Sequence, residues 1–399
     1  MIPKFAQIQR NNLTQAFNDF FENEKSSGIS LVVCAVLSLI IANTALSVDY
    51  LAFWKINLGG LSIAYWVNDG LMAVFFLLIG LELKREVFEG ELSNLRSALL
   101  PVIAACGGVI FPALIHFSLN RGTPTQGGIG IPMATDIAFA LSILALLGSR
   151  VPQSMKVFLA ALAVIDDLIA IVVIAVFYTG DISIYYLLGS FGIFIGLMIL
   201  NRLGFVHLAI YLLAGAVMWF FMLKSGVHAT IAGVLLALTI PYTPDTDDDD
   251  ALNILEHFLH RPVSFFVLPV FALANTGIVI GSHWAADFAS DNSMGIVLGL
   301  VVGKTIGISL FTFLAVKSSL CTLPFNLRWL HIIGAGMLGG IGFTMSIFIT
   351  NLAFENNHEL VDSSKMAILL ASLISGILGF IWLTVVGFVF PVDETSDAT

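Results

Sequence analysis

Charge is what this chain has least of. Only 11% of its 399 residues are Asp, Glu, Lys or Arg, where a soluble domain carries about a quarter. With 58% hydrophobic residues and a mean hydropathy of +0.96, the chain cannot cover itself with a water-compatible surface. Basic residues are the rarer sign, 17 against 27 acidic ones, which excludes the positive footprint of a nucleic-acid binder. Cysteine is rarer still. Cys34, Cys106 and Cys321 lie in or beside apolar stretches without metal-ligand spacing, so neither a disulfide framework nor a thiolate metal site is indicated. No Gly-rich phosphate loop is present. No small-residue cleavage pattern follows the first apolar run, which therefore reads as a retained span and not as a signal peptide.

What fills the chain instead is long apolar runs. About twelve are long enough to cross a bilayer, from Gly28–Ala45 to Met366–Phe390, and all are expected to be helical because lipid forces each span to satisfy its own backbone. The predicted fold class is an all-α polytopic membrane protein. It divides into an N-terminal segment 1–27 on the cytoplasmic surface, a membrane-spanning body 28–390 and a tail 391–399. With the N-terminus inside, twelve of the loop Lys and Arg residues fall on the cytoplasmic side and four outside, which places both termini in the cytoplasm.

The costliest stretch to build is Val157 to Phe177, where nine apolar residues precede Asp166 and Asp167 and ten follow them. An ionised carboxylate at the centre of a span costs about 2.5 to 3.5 kcal/mol, and adjacent like charges oppose joint ionisation. A cation, a proton or a wet cavity must offset this. Neighbouring residues point about 100° apart on a helix, so one of the pair serves structure while the other serves transport, or both bind ions. Asp136 is a second acidic candidate. In GGIGIPMATDIAFAL, three glycines and Pro132 precede Thr135 and Asp136, and proline and glycine together predict a break in the helix. Lys304 follows ten apolar or glycine residues and cannot reach either surface, so it requires an internal anion. Gly334, Gly336, Gly339, Gly340 and Gly342 fall within nine positions. Close helix packing is the ordinary use of such glycines, but five in nine positions instead suggest a helix that unwinds partway.

The two interrupted runs are the middle members of three-span units, 98–178 and 294–390, one beginning outside and the other inside. Interrupted helices at matching places in two halves point to inverted repeats with a binding site at mid-membrane. If the breaks cross, like ends of their dipoles face each other. Asp136 and Lys304 then suit the neutralisation of the two pairs, as an alternative to binding ions directly.

Charges at the helix ends are harder to read. Glu82, Lys84, Arg85 and Glu86 close the second span, and Glu256, His257, His260 and Arg261 open the ninth. Glu256 and His260 share a helix face. Such clusters either anchor a helix or titrate near neutral pH. His228, at the start of a short span, fits a cap or packing role as well as a proton carrier. Between the first two spans, residues 53–66 flank Gly59–Gly60, which permits a tight hairpin that would offer a dimer contact; a plain loop fits equally.

Six strings, WVNDGLMAVFFLLIGLELKRE, PMATDIAFAL, VIDDLIAI, SGVHATIAGV, LPVFALANTG and GGIGFTMSIF, together make the chain from about residue 27 to 390 resemble the NhaA-type sodium/proton antiporters. The resemblance implies twelve helices with two broken, crossing ones, a bacterial inner membrane location and a homodimer formed through the hairpin. It implies exchange of cytoplasmic Na+ or Li+ for external H+, with no cofactor, no enzyme activity and membrane lipid as the surrounding partner. By position, Asp166 and Asp167 match the cation- and proton-binding acids, with Asp167 the direct ligand of a transient Na+ or Li+. Asp136 and Thr135 match the assembly at the broken fourth helix, Lys304 the mid-membrane partner of Asp166, and Gly342 a glycine of the broken eleventh helix. Glu82, Arg85, Glu256, His257, His260 and His228 fall to the pH response. The rivals fit less well. A retinal protein has too few spans, an intramembrane aspartyl protease uses GxGD where this chain has YTGD, and a cation channel would carry ions without moving protons in return.

Overall fold

The computed structural model describes residues 25–90, 92–180, 182–243, 250–281, 284–324, 326–355 and 357–390. Phe17, Phe20 and Phe21 among mixed charges suit a short amphipathic surface helix in the N-terminal segment, but that segment, apart from its last residues, and the acidic run 245–249 lie outside the described residues. Helices form wherever the apolar runs predict them. They are α1 (Lys25–Ala42), α3 (Ile63–Phe88), α4 (Leu95–Asn120), α5 (Ile137–Leu147), α6 (Gln153–Phe177), α7 (Ile184–Arg202), α8 (Leu208–Ser225), α9 (Ile231–Thr239), α10 (Ala251–Asn275), α11 (Asp291–Lys317), α12 (Trp329–Gly339), α13 (Phe343–Ala353) and α14 (His358–Val389). Among the described residues ten helices are long and apolar enough to cross a membrane, and α12 with α13 makes an eleventh. The apolar run Gly226–Pro241, one of the twelve expected to span, holds only α9, whose nine residues reach about 14 Å, short of a bilayer on their own.

The short surface helix α2 (Ser47–Lys55) leads into β1 (Asn57–Leu58) and β2 (Leu61–Ser62), which pair antiparallel. Gly59 and Gly60 both take positive φ, at +65° and +94°, so within the stretch 53–66 residues 57–62 form a hairpin and not a plain loop, flanked by the end of α2 and the start of α3.

Three spans are loosened by a π-turn: α3 at Trp66–Leu71, α10 at Val263–Val267 and α11 at Gly299–Gly303. Such turns are frequent at functional sites, and the third ends where Lys304 begins. Two further spans are interrupted outright. A 3-10 turn over Pro124–Met133 gives way to an extended Ala134, and α5 starts only at Ile137. Between α12 and α13 the chain bends by 44° across Gly340–Gly342.

Packing places these breaks at the centre. The α6 helix is the most enclosed span, with 72% of its most apolar window buried, whereas α7 has only 11% and turns its Ile and Leu side chains to lipid. Around α6 gather α3, α4, α5 and α12, while α9 lies against α3 and α8 against α7. The closest approach is between α4 and α11. A methyl group on either Gly107 or Gly307 would run into the other's carbonyl oxygen, so the backbones touch as small-residue spans do in lipid.

Gly307→Ala should therefore overpack this contact and cost about 1 to 3 kcal/mol. The check is a lower unfolding midpoint in detergent relative to a variant at an open glycine such as Gly192.

Candidate functional site

The two broken spans meet at their interruptions and supply one another's missing bonds. The backbone N–H of Asp136 donates to Ile341 O at 2.6 Å, and Ser346 Oγ donates to Ile131 O at 2.7 Å. Asp136 caps α5, its Oδ1 accepting from the Phe139 N–H at 3.0 Å. Its Oδ2 accepts from the N–H of Thr344 at 3.0 Å and from the Thr344 hydroxyl at 2.6 Å. One carboxylate thus closes the N-termini of both α5 and α13, where two helix dipoles present their positive ends. Gly342 precedes α13, and a side chain there would collide with Ser346, which would displace the hydroxyl that ties α13 to Ile131.

The opposite ends are served by Thr135 and Lys304. The Thr135 hydroxyl donates to Gly339 O, the last residue of α12, at 2.8 Å. Lys304 Nζ donates to Thr135 Oγ1 at 2.9 Å and to Asp166 Oδ2 at 2.5 Å. The ammonium reaches the negative end of α12 through Thr135 while its charge is matched by Asp166. Asp136, Thr135, Asp166, Asp167 and Lys304 are all buried.

Asp167 stands apart. Neither of its carboxylate oxygens has a hydrogen-bond partner, and the second oxygen of Asp166 has none either. The charges that act on Asp167 are those of Asp166, Asp136, Lys304 and Glu82. The accounting is unequal. Lys304 offsets Asp166 and the two helix N-termini offset Asp136, so the charge of Asp167 has no resident counterpart. A buried carboxylate in that position holds a proton or a cation. No three His, Cys, Asp or Glu side chains converge in metal-holding geometry among the described residues. A hard cation at Asp167 therefore draws its remaining ligands from hydroxyls, carbonyls or water.

The other candidates fall into two groups at opposite ends of α3. At the Arg85 end, Arg85 Nη2 lies 3.1 Å from Glu256 Oε1, and Glu256 also feels His257, His260 and Glu86. Lys84 Nζ donates to Leu238 O and Ile240 O, closing the end of α9. His228 belongs to the other end. Its Nδ1 lies 3.5 Å from Asp69 Oδ1 and 3.0 Å from Thr230 Oγ1, and its ring meets Phe348 edge-on. Asp69 and Arg85 are 16 positions apart, about 24 Å along a helix, so His228 does not join the Arg85 cluster. Thr344 escaped the reading of the sequence. Its signal was a hydroxyl in the first turn after a glycine break, where free N–H groups draw an acid.

Comparison with known proteins places these residues in context. A family model described as "Na+/H+ antiporter 1" matches residues 18–383. The Na(+)/H(+) antiporter NhaA of Dechloromonas aromatica is 61% identical over 377 residues, covering 94% of this chain and 97% of that protein. The Na(+)/H(+) antiporter NhaA 1 of Flavobacterium johnsoniae is 57% identical over 371 residues, covering 93% and 97%. The Na(+)/H(+) antiporter NhaA of Mesorhizobium japonicum is 48% identical over 369 residues, covering 91% of this chain and 93% of that protein.

Lys304→Ala should cost roughly 3 to 5 kcal/mol, because Asp166 is left charged and buried without a partner. Adding Asp166→Asn should recover part of the loss. Thermal unfolding of the two variants in detergent checks this, and an unchanged midpoint for Lys304→Ala would speak against the pairing.

Proposed function

The chain belongs to the Na+/H+ antiporter 1 family, and from that premise we propose how its buried charges perform the exchange. It exchanges Na+ for H+ across a membrane and is a transporter, not an enzyme. The proposal is that Na+, or Li+, leaves the cytoplasm while protons enter, both using Asp167 in turn as the site opens alternately to each side. The observation that carries this is the pair of unpartnered oxygens on Asp167 beside a neutralised Asp166–Lys304 pair. A proton or a small cation each removes the unmatched charge, and one carboxylate cannot hold both.

In this reading Asp136 and Thr135 position the crossing and Lys304 holds Asp166. All three bonds of the Asp136 carboxylate are with the helix starts, which supports a role as the charge that stabilises the crossing over one as a direct ion ligand. The spans 98–178 and 294–390 act as inverted repeats around that point. Glu82, Arg85, Glu256, His257 and His260 set the pH response from the cytoplasmic end, and His228 contributes from the outer end. The asymmetry of Lys and Arg supports cytoplasmic termini in a bacterial inner membrane, with the hairpin outside. The exposed Leu58 beside the hairpin turn supports a dimer contact there.

Asp167→Asn should abolish Na+-dependent proton movement in vesicles loaded with a pH-sensitive dye, and retained full activity in a folded variant would defeat the assignment. Glu256→Gln should shift the pH at which exchange begins while the maximal rate persists, read in the same assay across pH.

A further inference from the structure

On the hairpin side, α3, α10, α13 and α14 surround a cavity of about 800 Å³ whose walls include Tyr65, Asp69, His228, Glu355 and Asp362. Four spans meet there at one buried side chain, Asn275, the last residue of α10. Its Nδ2 donates to Asn68 Oδ1 on α3 at 2.7 Å and to Phe271 O in its own helix at 3.0 Å. Its Oδ1 accepts from Asn351 Nδ2 on α13 at 2.7 Å and from Lys365 Nζ on α14 at 3.3 Å. An amide has two N–H donors and two oxygen lone pairs, and here all four are used. The Lys365 ammonium, a donor only, also determines which way the amide faces.

The partners are divided in a way that matters for exchange. Asn351 and Lys365 sit on α13 and α14, the helices of the second three-span unit that carries half of the central crossing. Asn68 and Asn275 sit on α3 and α10, outside both units. Asn275 is therefore a polar junction between the part of the molecule that holds the ion site and the part that surrounds it. Its bonds to neutral amides carry no net charge and are individually weak between spans. Asn68, Asn275, Asn351 and Lys365 all line the cavity, so solvent entering it can compete for these bonds. Those on Asp136 are charge-assisted and buried.

Building on the exchange reading above, we propose that Asn275 is a positioning residue of the transport cycle, a latch that holds the hairpin-side vestibule shut between α3–α10 and α13–α14. Release of Asn351 and Lys365 from its oxygen opens the route from that side toward the crossing. The latch touches no transported ion. It acts by setting how often the site faces the hairpin side.

The test uses full-length protein lacking its own thiols through Cys34→Ser, Cys106→Ser and Cys321→Ser, with Asn275→Cys and Asn351→Cys added. A short bifunctional methanethiosulfonate joins the pair and dithiothreitol releases it, with a monofunctional reagent as control. In vesicles, joining should lower the exchange rate by at least about tenfold, as blocking a required conformational step does, and the reductant should restore it. The joined protein should still show the Na+-induced rise in melting temperature, because the ion site itself is intact. Exchange at the same rate when joined and when released would overturn the latch, whereas a thiol-free parent that does not exchange would count against the exchange reading alone. A second measurement covers a pair that fails to join or to fold. Asn275→Ala should raise several-fold the rate at which an impermeant thiol reagent, applied from the hairpin side, modifies a cysteine introduced by Leu352→Cys; an equal rate would overturn the proposal.

Discussion

The structure depends on how three buried aspartates are neutralised within one small volume. Lys304 and Asp166 cancel each other, and Asp136 is matched by two helix starts. Asp167 is left over. Each of the first two arrangements is a permanent bond set made of parts far apart in the chain. Together they allow the third carboxylate to remain without one. Removing a partner from either set would put a second uncompensated charge in the interior, where an ion without hydration costs several kcal/mol. The stability of the core and the cation binding proposed for Asp167 thus rest on the same charge balance.

That balance explains why two spans are broken. A continuous helix keeps its dipole ends and free N–H groups at the membrane surfaces. Breaking α5 and the α12–α13 pair at mid-depth brings those groups inside, where each becomes a fixed partial charge. Irregular backbone is tolerated there only because the two breaks satisfy one another through Asp136, Ile341, Ser346 and Ile131. The site is therefore built from backbone as much as from side chains, and it needs both halves of the chain to exist.

The two ends of the molecule differ in the kind of bond they use. At the Arg85 end, a guanidinium–carboxylate pair with histidines beside it makes interactions whose strength depends on protonation. At the hairpin end, neutral amides converge on Asn275 beside a cavity. Charged and titratable contacts respond to pH, while amide contacts respond to competition from water. The proposed pH response draws on the first kind of contact and the proposed latch on the second.

Hydropathy adds along the chain, so the sequence alone determined that this is a helical membrane protein, that Asp166, Asp167 and Lys304 lie deep within spans, and that helices fail near Pro132 and near Gly340. The six strings carried the family. The hairpin turn was readable as a possibility from Gly59–Gly60, because two adjacent glycines permit positive φ without requiring it. Which acid is held and which is left over was decided only by the tertiary structure. Asp166 and Asp167 are neighbours with identical chemistry, and the difference between them is a matter of which face of α6 meets Lys304, 138 positions away. Thr344 became a partner of Asp136, and Asn275 a junction of four spans, for the same reason. Burial is a property of a segment and can be read from it, whereas pairing is a property of two segments and exists only once helices cross at a particular place and angle.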